Sequence, residues 1–89
     1  MSSAGSDGAT GVRAVVEVLA KAMTDRPEVV RVTESQHQRT TLVEVFVSAQ
    51  DVGKLIGRQG RTIAALRTLA SMAGEREGKT VTLEIRESR

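Results

Sequence analysis

From Val12 onward the apolar residues Val12, Val15, Val16, Leu19 and Met23 recur three or four positions apart. Arg13, Glu17 and Lys21 fall between them, so the pattern predicts an amphipathic helix. Thr10 stands at the N-cap position. Pro27 closes the helix, because Arg26 before it is biased out of the α region. The period then changes to two. Val30 and Val32 alternate with Arg31 and Thr33, which predicts a half-buried strand. Val43, Val45 and Val47 alternate with Leu42, Glu44 and Phe46 in a second strand, whose apolar character on both faces predicts a more interior place. Ser35 to Thr40 is polar throughout and reads as a hairpin loop between the two.

Residues 51–56 read as a short helix, with Ser48 and Asp51 at capping-box spacing. Gly57-Arg58-Gln59-Gly60 interrupts it. A longer helix resumes near Arg61 with Ile63, Leu66, Leu69, Ala70 and Ala73 as its apolar stripe, and Gly74 is placed to stop it. After a polar loop from Glu75 to Lys79, Val81, Leu83 and Ile85 alternate with Thr82, Glu84 and Arg86 in a last strand. The order α-β-β-α-α-β predicts an α+β fold, a three-stranded sheet with helices packed on one face. Residues 1–10, rich in Gly, Ser and Ala, read as a disordered N-terminal arm ahead of a single folded domain at 11–87.

Composition narrows the function. The 89 residues suffice for one small domain. Cysteine is absent, which excludes disulfides, thiol catalysis and thiolate metal sites, and one histidine, His37, cannot build a histidine metal cluster. With no apolar run of membrane-spanning length and no signal-peptide pattern, the expectation is a soluble cytoplasmic protein without metal, cofactor or membrane partner. Net charge is only +2, but its distribution is uneven. Residues 52–73 hold Lys54, Arg58, Arg61 and Arg67 with no acid, while the rest of the chain carries nine basic and eleven acidic side chains. Positive charge is concentrated in the segment around the glycine turn.

That turn is where the chemistry lies. Two glycines permit positive φ and close backbone approach, so Arg58 and Gln59 between them point outward. The unpaired N–H groups of the turn and of the helix that follows attract anions. Lys54, Arg58 and Arg61 add cationic side chains, while Arg67, about two turns further on, reads as a solvated face residue. The assembly is suited to gripping a sugar-phosphate backbone.

Ile56-Gly57-Arg58-Gln59-Gly60-Arg61-Thr62-Ile63 resembles the I-G-x-x-G-x-x-I signature of KH domains, the RNA-binding modules with a GXXG loop. The element order is similar to the type II, prokaryotic arrangement, and the flanking Val52-Gly-Lys-Leu-Ile looks like the small bacterial KH proteins of the KhpA kind. The resemblance spans roughly residues 11–87. It implies binding of about four nucleotides of single-stranded RNA in a groove, with low sequence specificity, by an RNA chaperone or regulator. In that groove Gly57, Arg58, Gln59 and Gly60 would clamp the backbone, and Val52, Leu55, Ile56 and Ile63 would form an apolar floor unless Val52 and Ile63 belong to the core. The strand at 42–47 and the loop at 34–40 would form the opposite wall. The resemblance also implies self-association, or pairing with a larger Jag-type KH protein. The arm at 1–10 and Gln36-His37-Gln38-Arg39 match no motif of that family.

Other chemistries fail on single residues. Gly53-Lys54 suggests a phosphate loop, but Leu55 stands where Ser or Thr is required. His37 reads as an exposed loop residue, and no histidine or paired-carboxylate setting supports catalysis, so no enzyme is expected. With Phe46 as the only aromatic residue, a multi-base stacking platform is excluded. The competing function is a protein–protein adaptor that dimerises through Ala64, Ala65, Ala70 and Ala73, with Met23 and Met72 as core fillers or dimer contacts.

Overall fold

The computed structural model describes residues 11–88, so Thr10 and the rest of the 1–10 arm lie outside the described residues. Helix α1 (Gly11–Met23) is followed by a 3-10 turn at Pro27–Val29, then β1 (Arg31–His37) and β2 (Thr40–Val47). Helix α2 (Ala49–Ile56), a second 3-10 turn at Arg58–Gly60, α3 (Arg61–Glu75) and β3 (Thr80–Glu87) complete the chain. The strands lie in the order β1-β2-β3, with β1 antiparallel and β3 parallel to β2. A parallel neighbour requires a crossover, and here the crossover is α2, the glycine turn and α3. The strand with apolar residues on both faces, β2, is the middle one, as its pattern predicts.

One face of the sheet carries the helices. Val32, Val43, Val45, Val47 and Leu83 on that face are buried against Val12, Val16 and Ala20 of α1, Leu55 of α2, and Leu66 and Ala70 of α3. The other face is open. There Arg31, Phe46 and Arg86 are cross-strand neighbours. The Arg31 guanidinium stands 5.1 Å from the Phe46 ring centroid, while Arg86 donates to Glu44 and Glu84 at 2.6 Å each.

Three local expectations are corrected. The hairpin loop is shorter than its polar composition implies: Ser35, Gln36 and His37 continue β1, paired with Leu42, Thr41 and Thr40. Only Gln38, with φ 60°, and Arg39 form the turn. Edge-strand polarity is tolerated because partners exist; the buried Thr41 hydroxyl donates to Gln36 Oε1 at 2.9 Å. Secondly, Gly74 does not stop α3 but lies buried inside it. A Cβ at Gly74 would stand 2.4 Å from Val81 Cγ2 and 3.0 Å from the Lys79 carbonyl oxygen, so the glycine lets α3 lie against the start of β3. Thirdly, Val15 and Leu69 of the expected stripes are exposed, and Ala20 and Gly74 are the buried members instead.

The Ser48–Asp51 spacing marks a different device from the one it predicts. Ser48 makes no side-chain bond to the α2 backbone; its hydroxyl donates to Asp51 Oδ2 at 2.9 Å. The buried Asp51 carboxylate also accepts the backbone N–H groups of Asp25 (3.0 Å) and Arg26 (3.1 Å). It thereby ties α2 to the connection between α1 and β1. These bonds, led by that from Asp25, hold the Asp51 carboxyl below its ordinary pKa against the opposing effect of burial.

Two outcomes follow from this packing. Gly74→Ala should lower stability by about 1–3 kcal/mol, the usual cost of overpacking, and Val81→Ala in the same chain should recover part of it; urea midpoints measure both. Because the Asp51 pKa is depressed in the folded state, its contribution is present above the unfolded value of about 3.9 and lost as pH falls through the lower folded value. Asp51→Asn should therefore lower the melting temperature at neutral pH and flatten its decline below about pH 4. The slope that remains belongs to carboxylates such as Glu17, whose pKa is lowered chiefly by its bond to Lys21.

Candidate nucleic-acid interface

The last backbone bond of α2 runs from the Gly57 N–H to the Gly53 carbonyl, 2.8 Å. Gly57 then takes φ 77° and ψ 170°, a conformation open almost only to glycine. A Cβ there would lie 2.2 Å from Thr62 Oγ1 and 2.9 Å from the Thr62 nitrogen, so the end of α2 runs directly against the first turn of α3. The chain reverses through one tight turn, closed by the Gly60 N–H donating to the Gly57 carbonyl at 3.1 Å.

Gln59, at the turn's tip, is left-handed with φ 56° and ψ 26°, although it is not glycine. That conformation costs roughly 1–2 kcal/mol for an L-residue. The Gln59 side-chain oxygen accepts a bond from Arg61 Nη2 at 3.2 Å, so Arg61 is tethered across the turn. Arg58 is exposed and makes no ion pair among the described residues. Gly60 caps α3 without a side chain, and no acid stands in the helix's first turn. The Arg61 N–H is taken by the Arg58 carbonyl, but no side chain caps α3, and the helix dipole adds to the attraction of its first turn for an anion.

Five of the seven sequence-predicted site residues converge here: Gly57, Arg58, Gln59, Gly60 and Arg61. Ile56, 39 % exposed, borders the turn as an accessible apolar side chain. Lys54 is directed elsewhere, its ammonium pairing with the Asp25 carboxylate on the α1–β1 connection. The expected floor is divided. Leu55 is fully buried core, and Val52 and Ile63 are partly buried against it.

The strand expected to line the opposite side is central in the sheet. The strand at 42–47 is β2, which is paired on both sides and has its valines buried, so it presents no free edge. The edge strand packed against both α2 and α3 is β3. Its first residue is held to the hairpin by the Thr80 N–H donating to the Arg39 carbonyl at 3.1 Å. Arg67 is not simply solvated: its Nε donates to the Leu83 carbonyl of β3 at 3.3 Å. The available signal was its position seven residues after Gly60, on the face of α3 that follows the turn.

Residues 13–85 match the family described as KhpA/KhpB, KH domain. The RNA-binding protein KhpA of Aquifex aeolicus is 41 % identical over 78 residues, covering 88 % of this chain and 99 % of that one. The protein of the same name from Clostridium perfringens is 40 % identical over 74 residues, 83 % of this chain and 99 % of its own. That from Chlamydia pneumoniae is 45 % identical over 69 residues, 78 % and 88 % of the two chains. No solved structure matches at comparable significance. The α-β-β-α-α-β order, the mixed sheet and the match across 13–85 agree, and the chain belongs to the KhpA/KhpB family of KH domains, which is not a family of enzymes.

Proposed function

We propose that this chain binds single-stranded RNA regions with low sequence specificity, gripping the backbone at the Gly57–Gly60 turn, and acts in the cytoplasm as an RNA chaperone or post-transcriptional regulator. The observation that carries this reading is Arg58, exposed and free of any carboxylate among the described residues, at a tight turn bounded by two positive-φ glycines. The start of α3, which no side chain caps, and the Arg61 guanidinium held by Gln59 stand beside it and favour an anion. The relatives from Aquifex, Clostridium and Chlamydia are RNA-binding proteins by name. With few aromatic side chains, affinity comes from backbone contacts rather than base stacking.

A second reading, dimerisation with itself or with a larger Jag-type KH protein, is favoured by apolar side chains on α1 and α3. Val18 is 67 % and Met72 57 % exposed, with Val15 and Leu69 also accessible. Val15 and Ala73 border one cleft between these helices. Ala70 is fully buried and takes no part.

Replacing Arg58 and Gln59 together by Asp places two anions at the receptor. Charge-assisted contacts contribute about 1.5–3 kcal/mol each, so affinity for a short oligoribonucleotide should fall by at least about tenfold while circular dichroism is unchanged. Undiminished binding by the folded variant would refute the reading. For the parent, three neutralised phosphates give a log–log salt slope of roughly −2. Met72→Glu should lower the mass seen by light scattering if the α1–α3 face self-associates; a parent that is monomeric at high concentration removes self-association.

A further inference from the structure

Arg67, like Arg61 on Gln59, rests on a neutral acceptor rather than a carboxylate. It leaves α3, reaches β3 and fixes Nε on the Leu83 carbonyl at 3.3 Å. Most arginines of a protein surface are held by carboxylates or by nothing, and here Arg26 and Arg86 follow the first pattern. Arg67 follows neither. Among the described residues it has no ion pair, yet a neutral acceptor orients it. A carbonyl oxygen does not cancel the guanidinium charge, and binding at Nε leaves both Nη groups as an unspent, oriented donor fork.

Its place relative to the turn is set by helix geometry. Gly60, Ala64 and Arg67 lie at i, i+4 and i+7 on one face of α3. Seven residues at 1.5 Å rise put Arg67 about 10 Å along the axis from the turn. Helical side chains lean toward the N-terminus, which brings Arg67 back toward the receptor. Ala64, between them, is exposed and too small to block the path. Leu83 belongs to the edge strand, so the arginine closes the gap between α3 and the sheet.

We propose that Arg67 is a second phosphate-binding point for the strand gripped at Gly57–Gly60, a guanidinium held ready by the Leu83 carbonyl. This rests on the RNA-binding reading above and adds to it a defined path from the turn, across Ala64, to the edge of β3. A phosphate is the fitting ligand because the site supplies uncancelled positive charge and paired N–H donors at fixed separation.

Two measurements on the full chain test it. Arg67→Gln keeps an N–H donor for Leu83 but removes the charge. Titrated with a short oligouridylate at several salt concentrations, the variant should show a log–log slope shallower than the parent's by about 0.7, the value of one phosphate on a single strand. A parental slope, with or without a change in affinity, overturns the proposal, because a base-edge or purely structural role would leave the count of released ions unchanged. In the unmodified protein the Arg67 Nε–Hε NMR signal should shift during the same titration, and a stationary signal also overturns it. This readout does not depend on the variant folding. The Arg58 and Gln59 double replacement separates the two levels: if it abolishes binding while the Arg67 signal in the parent stays fixed, the turn is the receptor and Arg67 is not part of it.

Discussion

The structure depends on one close approach, that of the Gly57 backbone to Thr62. With a Cβ position only 2.2 Å from the threonine hydroxyl, no other residue fits without moving α2 or α3. The geometry of the turn follows from that proximity. It ends α2 abruptly, starts α3 within four residues and forces Arg58 and Gln59 outward. The left-handed Gln59 adds a strained residue at the tip, where surrounding order must hold it in place.

A second layer of constraint keeps α2 itself from drifting. The buried Asp51 carboxylate gathers two backbone N–H groups and a hydroxyl from separate segments. Lys54, one turn on, pairs with Asp25 of the same connection. The acidic group that stabilises α2 is therefore sequestered, while the cations of the turn face solvent. This sorting places a negative charge next to the glycine turn in sequence but buries it beneath the surface. The core beneath is aliphatic, dominated by valines that favour strands and pack without polar atoms.

The fold was largely legible because periodicity changed cleanly from helical to alternating and back, and because β2 was apolar on both faces. The turn was legible because its glycines and isoleucines stand in a fixed order. Features involving two distant segments were not. Nothing near Asp51 announces that it bonds Asp25 and Arg26, nor does Arg67 announce Leu83. Gly74 was misread for a related reason: a helix stop and a tight helix–strand contact both select glycine, and only the position of Val81 distinguishes them. That β3, not β1, covers the second edge of β2 was not legible, because strand order across a crossover cannot be read from alternation alone. Ser35–His37 looked like loop because polar residues on an edge strand resemble those of a turn.

The parallel pairing of β2 with β3 has a consequence for synthesis. Thr40 faces Thr80, so the edge of β2 that β3 covers waits for the whole intervening crossover to be made. At 5–20 residues per second that interval is about 2–8 s. During it, a strand apolar on both sides carries a bare ladder of amides and carbonyls, the kind of surface that recruits another chain. Glu44, in the middle of the strand, is the one charge along it. Its carboxylate, later a partner of Arg86, is then the main local deterrent to aggregation on the ribosome.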